Sequence, residues 1–250
     1  ADLVHAGSFE HADLVASDLH AQLVATAATR AGSCLEIGAG RGTKTYMMHA
    51  QAQRAGLDRV HVALDLSEGK CRANAARLNR AGFGQLETIA GDACELETTL
   101  AEFDASRGMR HCFDTVFVDA PCSGTGTMRR HPEIPWRLTS RDVRNNLPGL
   151  QLAMLTAAAL RVASGGELIY ATCSVLDEEN RQVIDAFLNS ETGADFCLAP
   201  VSDADIFVLS AFEQARALAH DHEDADGVFQ TSPVLHGFDG HFCARLVRCS

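Results

Sequence analysis

The sequence predicts an α/β protein built on a mainly parallel sheet, and three observations carry that expectation. Short apolar runs of strand character alternate with segments of helical spacing, the order of right-handed βαβ units. The first such run, residues 34–37, leads into a glycine-rich turn, Gly38-Ala-Gly40-Arg-Gly42-Thr-Lys44, and then into a helix. Aspartates stand at or just past the ends of the next three runs, Asp65, Asp92 and Asp119, where open α/β sheets gather their ligands.

Taken in order, Leu14, Val15, Leu19, Leu23 and Val24 recur at helical spacing and predict a helix over residues 9–30. Arg30-Ala-Gly-Ser turns the chain into the first strand. In the loop after it, glycines let the backbone approach a ligand and leave amides free at the start of a helix that runs to about Arg54. A second strand, 60–64, ends in Asp65, the place for a carboxylate that accepts both ribose hydroxyls of an adenosine. The helix predicted over 67–80 stops at Ala81-Gly82, as a glycine-capped helix does. A third strand, 86–90, runs into Gly91-Asp92-Ala93, where a carboxylate can accept the exocyclic amine of adenine. Phe113, Val116 and Val118 mark a fourth strand, which ends in Asp119. A helix over 150–163, the turn Gly165-Gly166, a strand over 167–172 and a helix over 177–188 continue the alternation. Residues 190–225 are acidic and poorly periodic and predict no definite element, whereas HFCARLVR alternates as a final strand.

At 250 residues, 46% hydrophobic and 22% charged, the chain can bury a sizeable core. No apolar run reaches the ~18 residues of a membrane span; the longest candidate, 150–163, is broken by Gln151 and Arg161. A net charge of -12 argues against a simple basic nucleic-acid binder, so any such contact has to rest on a local patch. One is present over 129–144, where Arg129, Arg130, Arg137, Arg141 and Arg144 face only Glu133 and Asp142, a local charge of +3. Nine cysteines without a CxxC pair argue against zinc ribbons and redox motifs; they fit a reducing, cytosolic setting, and no metal is expected. No signal-peptide pattern is visible, and the start at Ala1 rather than Met suggests an excised portion of a longer protein.

Two cysteines stand apart from the rest. Cys122 follows Asp119 in Asp-Ala-Pro-Cys at one strand end, and Cys173, in YATCSV, ends the next predicted strand. The glycine turn departs from the dinucleotide fingerprint, since Thr43 stands where a third glycine belongs. Its spacing, Gly38-x-Gly40-x-Gly42 after Glu36, resembles that of S-adenosylmethionine-dependent methyltransferases instead. With both cysteine motifs in place, the chain resembles the Sun/RsmB (NOL/NOP/Sun) family of RNA cytosine-5 methyltransferases over nearly all of its length. Gly7-Ser-Phe9, Asp18 and Gln22-Leu-Val-Ala25 are similar to that family's lead-in segment, LEIGAGRGTKT to its cofactor loop, and DLSEGKCRANAARLNRAG and GDA to its next two motifs. DAPCSGTGTMRRHPEIPWR and YATCSVLDEENRQVI are the most specific parts, and DGHFCARLVR resembles the closing strand. One departure is clear: the family's loop usually reads alanine-proline-glycine-glycine before its lysine, where this chain has Gly40-Arg-Gly-Thr.

The resemblance implies a Rossmann-like class I methyltransferase fold, α/β with a doubly wound, mainly parallel seven-stranded sheet. It implies a helical lead-in over 1–30, a catalytic domain over 31–250, and an RNA-binding domain upstream of these residues. S-adenosylmethionine is the implied cofactor, held by Gly38, Ala39, Gly40, Arg41, Gly42, Thr43, Lys44, Asp65, Asp92 and Asp119. RNA is the implied substrate, held by Lys44, Arg129, Arg130 and Arg137. Carbon 5 of cytosine is a poor nucleophile, and a thiolate adding to carbon 6 converts the ring into an enamine able to attack a sulfonium methyl. An acid at ring nitrogen 3, Asp119, would stabilise that adduct. The resemblance assigns Cys173 as nucleophile and Cys122 as the release residue. Residues alone leave the two open, because DNA cytosine methyltransferases use the cysteine of the proline-cysteine motif. Ribosomal RNA is the expected substrate, with transfer RNA, or a catalytically silent cofactor- or RNA-binding module, as alternatives. The protein is expected to be a cytoplasmic monomer away from membranes.

Overall fold

The computed structural model describes residues 14–84 and 86–249. Among these residues eight strands form one sheet: β1 Gly32–Ile37, β2 Arg59–Asp65, β3 Glu87–Ala90, β4 Phe113–Asp119, β5 Val162–Thr172, β6 Phe196–Ala199, β7 Phe229–Gln230 and β8 Phe242–Arg248. Their order is β3-β2-β1-β4-β5-β8-β6, with β7 beside β8. The first five pair in parallel. β8 then enters antiparallel between β5 and β6. The expected seven-stranded, mainly parallel sheet is therefore present, and the two-residue β7 adds an eighth strand along β8.

The strands read as near-continuous apolar runs because the sheet is covered on both faces. Leu35, Ile37, Val116, Val118 and Leu168 point to one side, against Leu155 and Ala158 of the helix Leu147–Ala159. Phe117, Ile169 and Ala171 point to the other, against Val24 and Met48 from the helices Leu19–Ala27 and Thr43–Ala55 and against Phe207. Each fully buried Leu or Ile in such a core contributes about 1.5–3 kcal/mol. This double covering fixes the strand ends, and with them the loops that carry the chemistry.

Three boundaries differ from the sequence reading. The first helix is Leu19–Ala27, because Asp18 caps it by accepting from the His20 N–H (2.9 Å); Gly7, Ser8 and Phe9 lie outside the described residues. The helix predicted over 150–163 is Leu147–Ala159, and β5 already begins at Val162. Arg161 sets that boundary: it is fully buried, and its guanidinium donates to Asp104 (2.7 Å), Glu97 (3.2 Å) and the Leu96 carbonyl (3.3 Å). Hydrophobic periodicity carries no sign of an ion pair reaching across 57 residues of chain. The predicted helix over 177–188 opens with a 3-10 turn, Asp177–Glu179, before Arg181–Leu188. The stretch 190–225 holds β6, short 3-10 turns and the helix Glu213–His220. By contrast, the helix Glu68–Arg80 is capped by Ser67 and followed by Gly82 at φ +74°, as its sequence predicts. No helix among the described residues is long and apolar enough to cross a membrane.

Candidate active site

β1 runs into Gly38, whose φ is +78° and whose added Cβ would lie 2.2 Å from the Asp119 carbonyl oxygen. Only glycine lets this loop cross so near the end of β4. The Gly38 and Ala39 amides donate to the Leu64 carbonyl (2.9 and 3.0 Å), which ties the turn to β2. Gly42, at φ +82°, heads the helix Thr43–Ala55 without a side-chain cap, so first-turn amides remain available to a ligand.

Strand ends supply the carboxylates. Asp65, almost fully buried, accepts from the Gly40 N–H (3.0 Å) and the Ser67 N–H (2.9 Å), with the Lys70 ammonium 3.5 Å away. Asp92 accepts from the Cys94 N–H (2.8 Å) and is exposed. Asp119 closes β4, and both its oxygens accept from Lys44 Nζ (2.9 and 2.8 Å). Burial raises the Asp119 carboxyl above its ordinary range against the pull of Lys44. Burial is the largest influence on Lys44 and works downward, but the charge and hydrogen bond of Asp119, with the two cysteines, together outweigh it and raise the ammonium. The lysine is thus held as a fixed cation, and the carboxyl is brought nearer to sharing a proton.

β4 and β5 are paired neighbours in the sheet, so the loops leaving them bring the two cysteines together. Cys122 Sγ and Cys173 Sγ lie 3.4 Å apart. Cys122 is held well above the usual thiol range by its hydrogen bond to Cys173, then by burial, with Glu179 adding to both. Cys173 is lowered by the bond to Cys122 and by Lys44, against burial and Asp119. The two thiols thus depart from ordinary values in opposite directions, Cys122 upward and Cys173 downward.

These parts face one cavity of about 500 Å³, lined by Gly38, Gly40, Lys44, Asp65, Asp92, Asp119, Cys122 and Cys173, with Leu64, Leu66, Leu150 and Met154 as its apolar wall. Of the other residues expected at the cofactor, Ala39, Arg41, Gly42 and Thr43 are not on that wall. Ala39 is buried, Arg41 is exposed, Gly42 packs on Asn74, and Thr43 Oγ1 accepts from Arg77 (3.0 Å). They shape the turn that others line. In the basic segment, Arg130 is committed to the fully buried Asp239 through two hydrogen bonds, and Arg129 donates to the Gly237 carbonyl (2.9 Å). Arg137, Arg141 and Arg144 remain exposed. Sequence reasoning missed the groups that hold the cysteine loops, above all Glu179. It lies in YATCSVLDEENRQVI, where nothing in the sequence sets it apart from the neighbouring Glu178.

A cleft between a glycine turn and paired strand-end cysteines invites comparison with known proteins. The family model described as 16S rRNA methyltransferase RsmB/F matches residues 24–246. A ribosomal RNA small subunit methyltransferase B from Escherichia coli is 35% identical over 167 residues, covering 65% of this chain and 35% of that protein. Its counterpart from Shewanella oneidensis is 32% identical over 189 residues, covering 76% of this chain and 37% of that protein. The matches thus span little more than a third of these relatives' length. Among solved structures, NSun6 from Pyrococcus horikoshii, determined with SFG, superposes with a TM-score of 0.76 at 20% identity, over 100% of this chain and 57% of that one. A methyltransferase homologue from the same organism gives 0.70 at 23%, over 99% and 72%. Both likenesses confirm the fold, and the match running from the first helix to the last strand, through the glycine turn and both cysteine loops, places the chain in the RsmB/F family of 16S rRNA methyltransferases.

Proposed function

We propose that this chain is the catalytic portion of an enzyme that methylates carbon 5 of a cytosine in RNA, ribosomal RNA first, through a covalent cysteine adduct. The observation that carries the reading is the pair of sulfurs 3.4 Å apart on neighbouring strand ends, facing the same cavity as the Lys44–Asp119 pair. A transferase that needed one nucleophile would have no use for a second thiol against it.

The residues fit S-adenosylmethionine. Gly38 and Gly40 leave the loop without side chains at the cavity wall, Asp65 and Asp92 offer carboxylate oxygens at successive strand ends, and Leu64, Leu66 and Met154 give an apolar face. When bound, that cofactor supplies an electrophilic methyl group on sulfur. Cys173, the more readily ionised thiol, adds to carbon 6 of the base, forming an S–C bond and placing electron density on carbon 5. Asp119, raised by burial, holds a proton at ring nitrogen 3, and Lys44 fixes the orientation of that carboxyl. After transfer the carbon 5 proton leaves and the S–C bond breaks, with Cys122 placed to assist. The exposed Arg137 supplies phosphate contact, and an RNA-binding domain upstream delivers the substrate to a monomer. A reducing cytoplasm fits the nine free thiols.

The order of steps gives the experiment. With the full-length protein, S-adenosylmethionine and substrate RNA, Cys173→Ala is expected to yield no covalent protein–RNA adduct on a denaturing gel. Cys122→Ala is expected to accumulate one. The reverse pattern would exchange the two roles, and no adduct in either variant, with an RNA that the wild type methylates, would remove the covalent mechanism.

A further inference from the structure

Glu179 is fully buried between the two cysteine loops. One carboxylate oxygen accepts from the Ser123 N–H (2.8 Å) and from the Gln151 side-chain amide (3.0 Å). The other accepts from the Ser174 hydroxyl (2.9 Å). Ser123 and Ser174 directly follow Cys122 and Cys173, and their hydroxyl oxygens are 3.1 Å apart, with Thr125 Oγ1 also 3.1 Å from Ser174. Gln151 donates as well to the Pro121 carbonyl (2.9 Å), so both sides of the proline-cysteine turn are held. No cation pairs with Glu179 among the described residues.

Two chemically identical sulfurs in contact need something to decide which one carries the proton. On the Cys173 side, Lys44 and Asp119 are paired with each other, so their charges oppose at the sulfur. The Glu179 carboxylate is held only by neutral donors. Two of them are on the proline-cysteine turn, the Ser123 amide next to Cys122 and the Gln151 side chain that also holds Pro121, and one, the Ser174 hydroxyl, is on the Cys173 loop. We propose that Glu179 is a positioning residue whose carboxylate clamps the two cysteine loops together and whose charge, uncompensated by a cation, assigns the shared proton to Cys122 and leaves Cys173 as the thiolate. The Glu179 charge is also among the causes that raise Cys122. The roles named here rest on the covalent reading above; the asymmetry itself does not.

Glu179→Gln separates charge from clamp. Its carbonyl oxygen can accept from Ser123 and Gln151 at the first position. Its amide can donate to Ser174 at the second, whose own proton then turns to Ser123 or Thr125. The probe is iodoacetamide, with the alkylation rate of each cysteine followed by mass spectrometry across pH. Cys122 is read in Cys173→Ala and Cys173 in Cys122→Ala, each with and without Glu179→Gln. With Glu179 present, Cys173 is expected to titrate below Cys122. Glu179→Gln is expected to lower the Cys122 midpoint by about one pH unit, a roughly tenfold gain in rate below the midpoint, and to move Cys173 far less. A clamp without an electrostatic role would lower thermal stability and leave the Cys122 midpoint in place, which overturns the proposal. So would equal midpoints in the two single-cysteine variants, a comparison that holds even if Glu179→Gln fails to fold. No methyl transfer is involved, so shifted midpoints in a protein that forms no RNA adduct would leave this inference standing and sink the proposed function alone.

Discussion

Glu36 shows how a single residue can be visible in the sequence and still be misplaced. It stands just before the glycine turn, where it reads as part of a ligand loop. In the fold it is fully buried in β1, accepting from Thr45 Oγ1 (2.6 Å) and bonded to His61 Nε2 (3.0 Å). It therefore fastens the helix Thr43–Ala55 and β2 to β1 rather than touching the cavity. Burial drives its carboxyl up to about 7, against the hydrogen bond from Thr45. Unfolded, the same group titrates at about 4.5. Between those values the folded state keeps a proton that the unfolded state has lost. Its contribution to stability is therefore full below about 4.5 and falls away as pH rises through about 7. The decline amounts to roughly 3 kcal/mol at most. Glu36→Gln, which stays neutral, is expected to lose this decline, and urea unfolding of both proteins at pH 5 and pH 8 measures it. A wild-type-minus-variant difference that is the same at both pH values would show that Glu36 is ionised throughout. Asp65, Asp119 and the two cysteines were legible because each sits in a contiguous motif at a strand end. Glu179 was not, because its partners Ser123, Gln151 and Ser174 come from three separate stretches of chain.

At the scale of elements, the alternation of strands and helices was legible wherever local signals agreed with the packing. Ser67 and Gly82 bracket a helix in the sequence and in the fold alike. The signal failed where a distant ion pair chose the boundary, as Arg161 does at the start of β5, or where the chain coils in 3-10 turns without a period. The glycine turn is a case in which local conformation and long-range contact can be separated. Gly38 and Gly56 both have positive φ, +78° and +65°. A Cβ at Gly56 meets nothing within 4 Å, whereas one at Gly38 strikes the Asp119 backbone. Gly56→Ala is expected to cost about 1–2 kcal/mol, the strain of a left-handed residue, or roughly 2–8 °C in Tm for a chain of this size. Gly38→Ala carries that strain plus the clash, and its Tm is expected to fall distinctly further. Thermal unfolding decides it: equal losses would mean that the loop shifts freely away from β4.

For the whole molecule, the proposed action of an acidic protein on RNA depends on where its few free cations lie. Arg130 is occupied by Asp239, so Arg137 is the better test of phosphate contact. In the full-length protein, Arg137→Ala is expected to flatten the slope of log affinity against log salt by about 0.7–0.9, one counterion's worth, in filter binding across a salt series. An unchanged slope would make the segment a solvated face. Arg130→Ala would instead leave the buried Asp239 with only Arg129, 3.7 Å away, and is expected to lower thermal stability. The placement of β8 has a consequence of another kind. This strand lies inside the sheet, between β5 and β6, although it follows all seven other described strands in the chain. On the ribosome, β5 emerges with one edge bare and waits for Phe242–Arg248 to close it. At ~5–20 residues per second that interval lasts about 4–15 s. Through it the nascent chain offers an unpaired strand to any neighbour. Slower translation past Thr172 should therefore increase aggregation, and a chaperone that covers strand edges should relieve it.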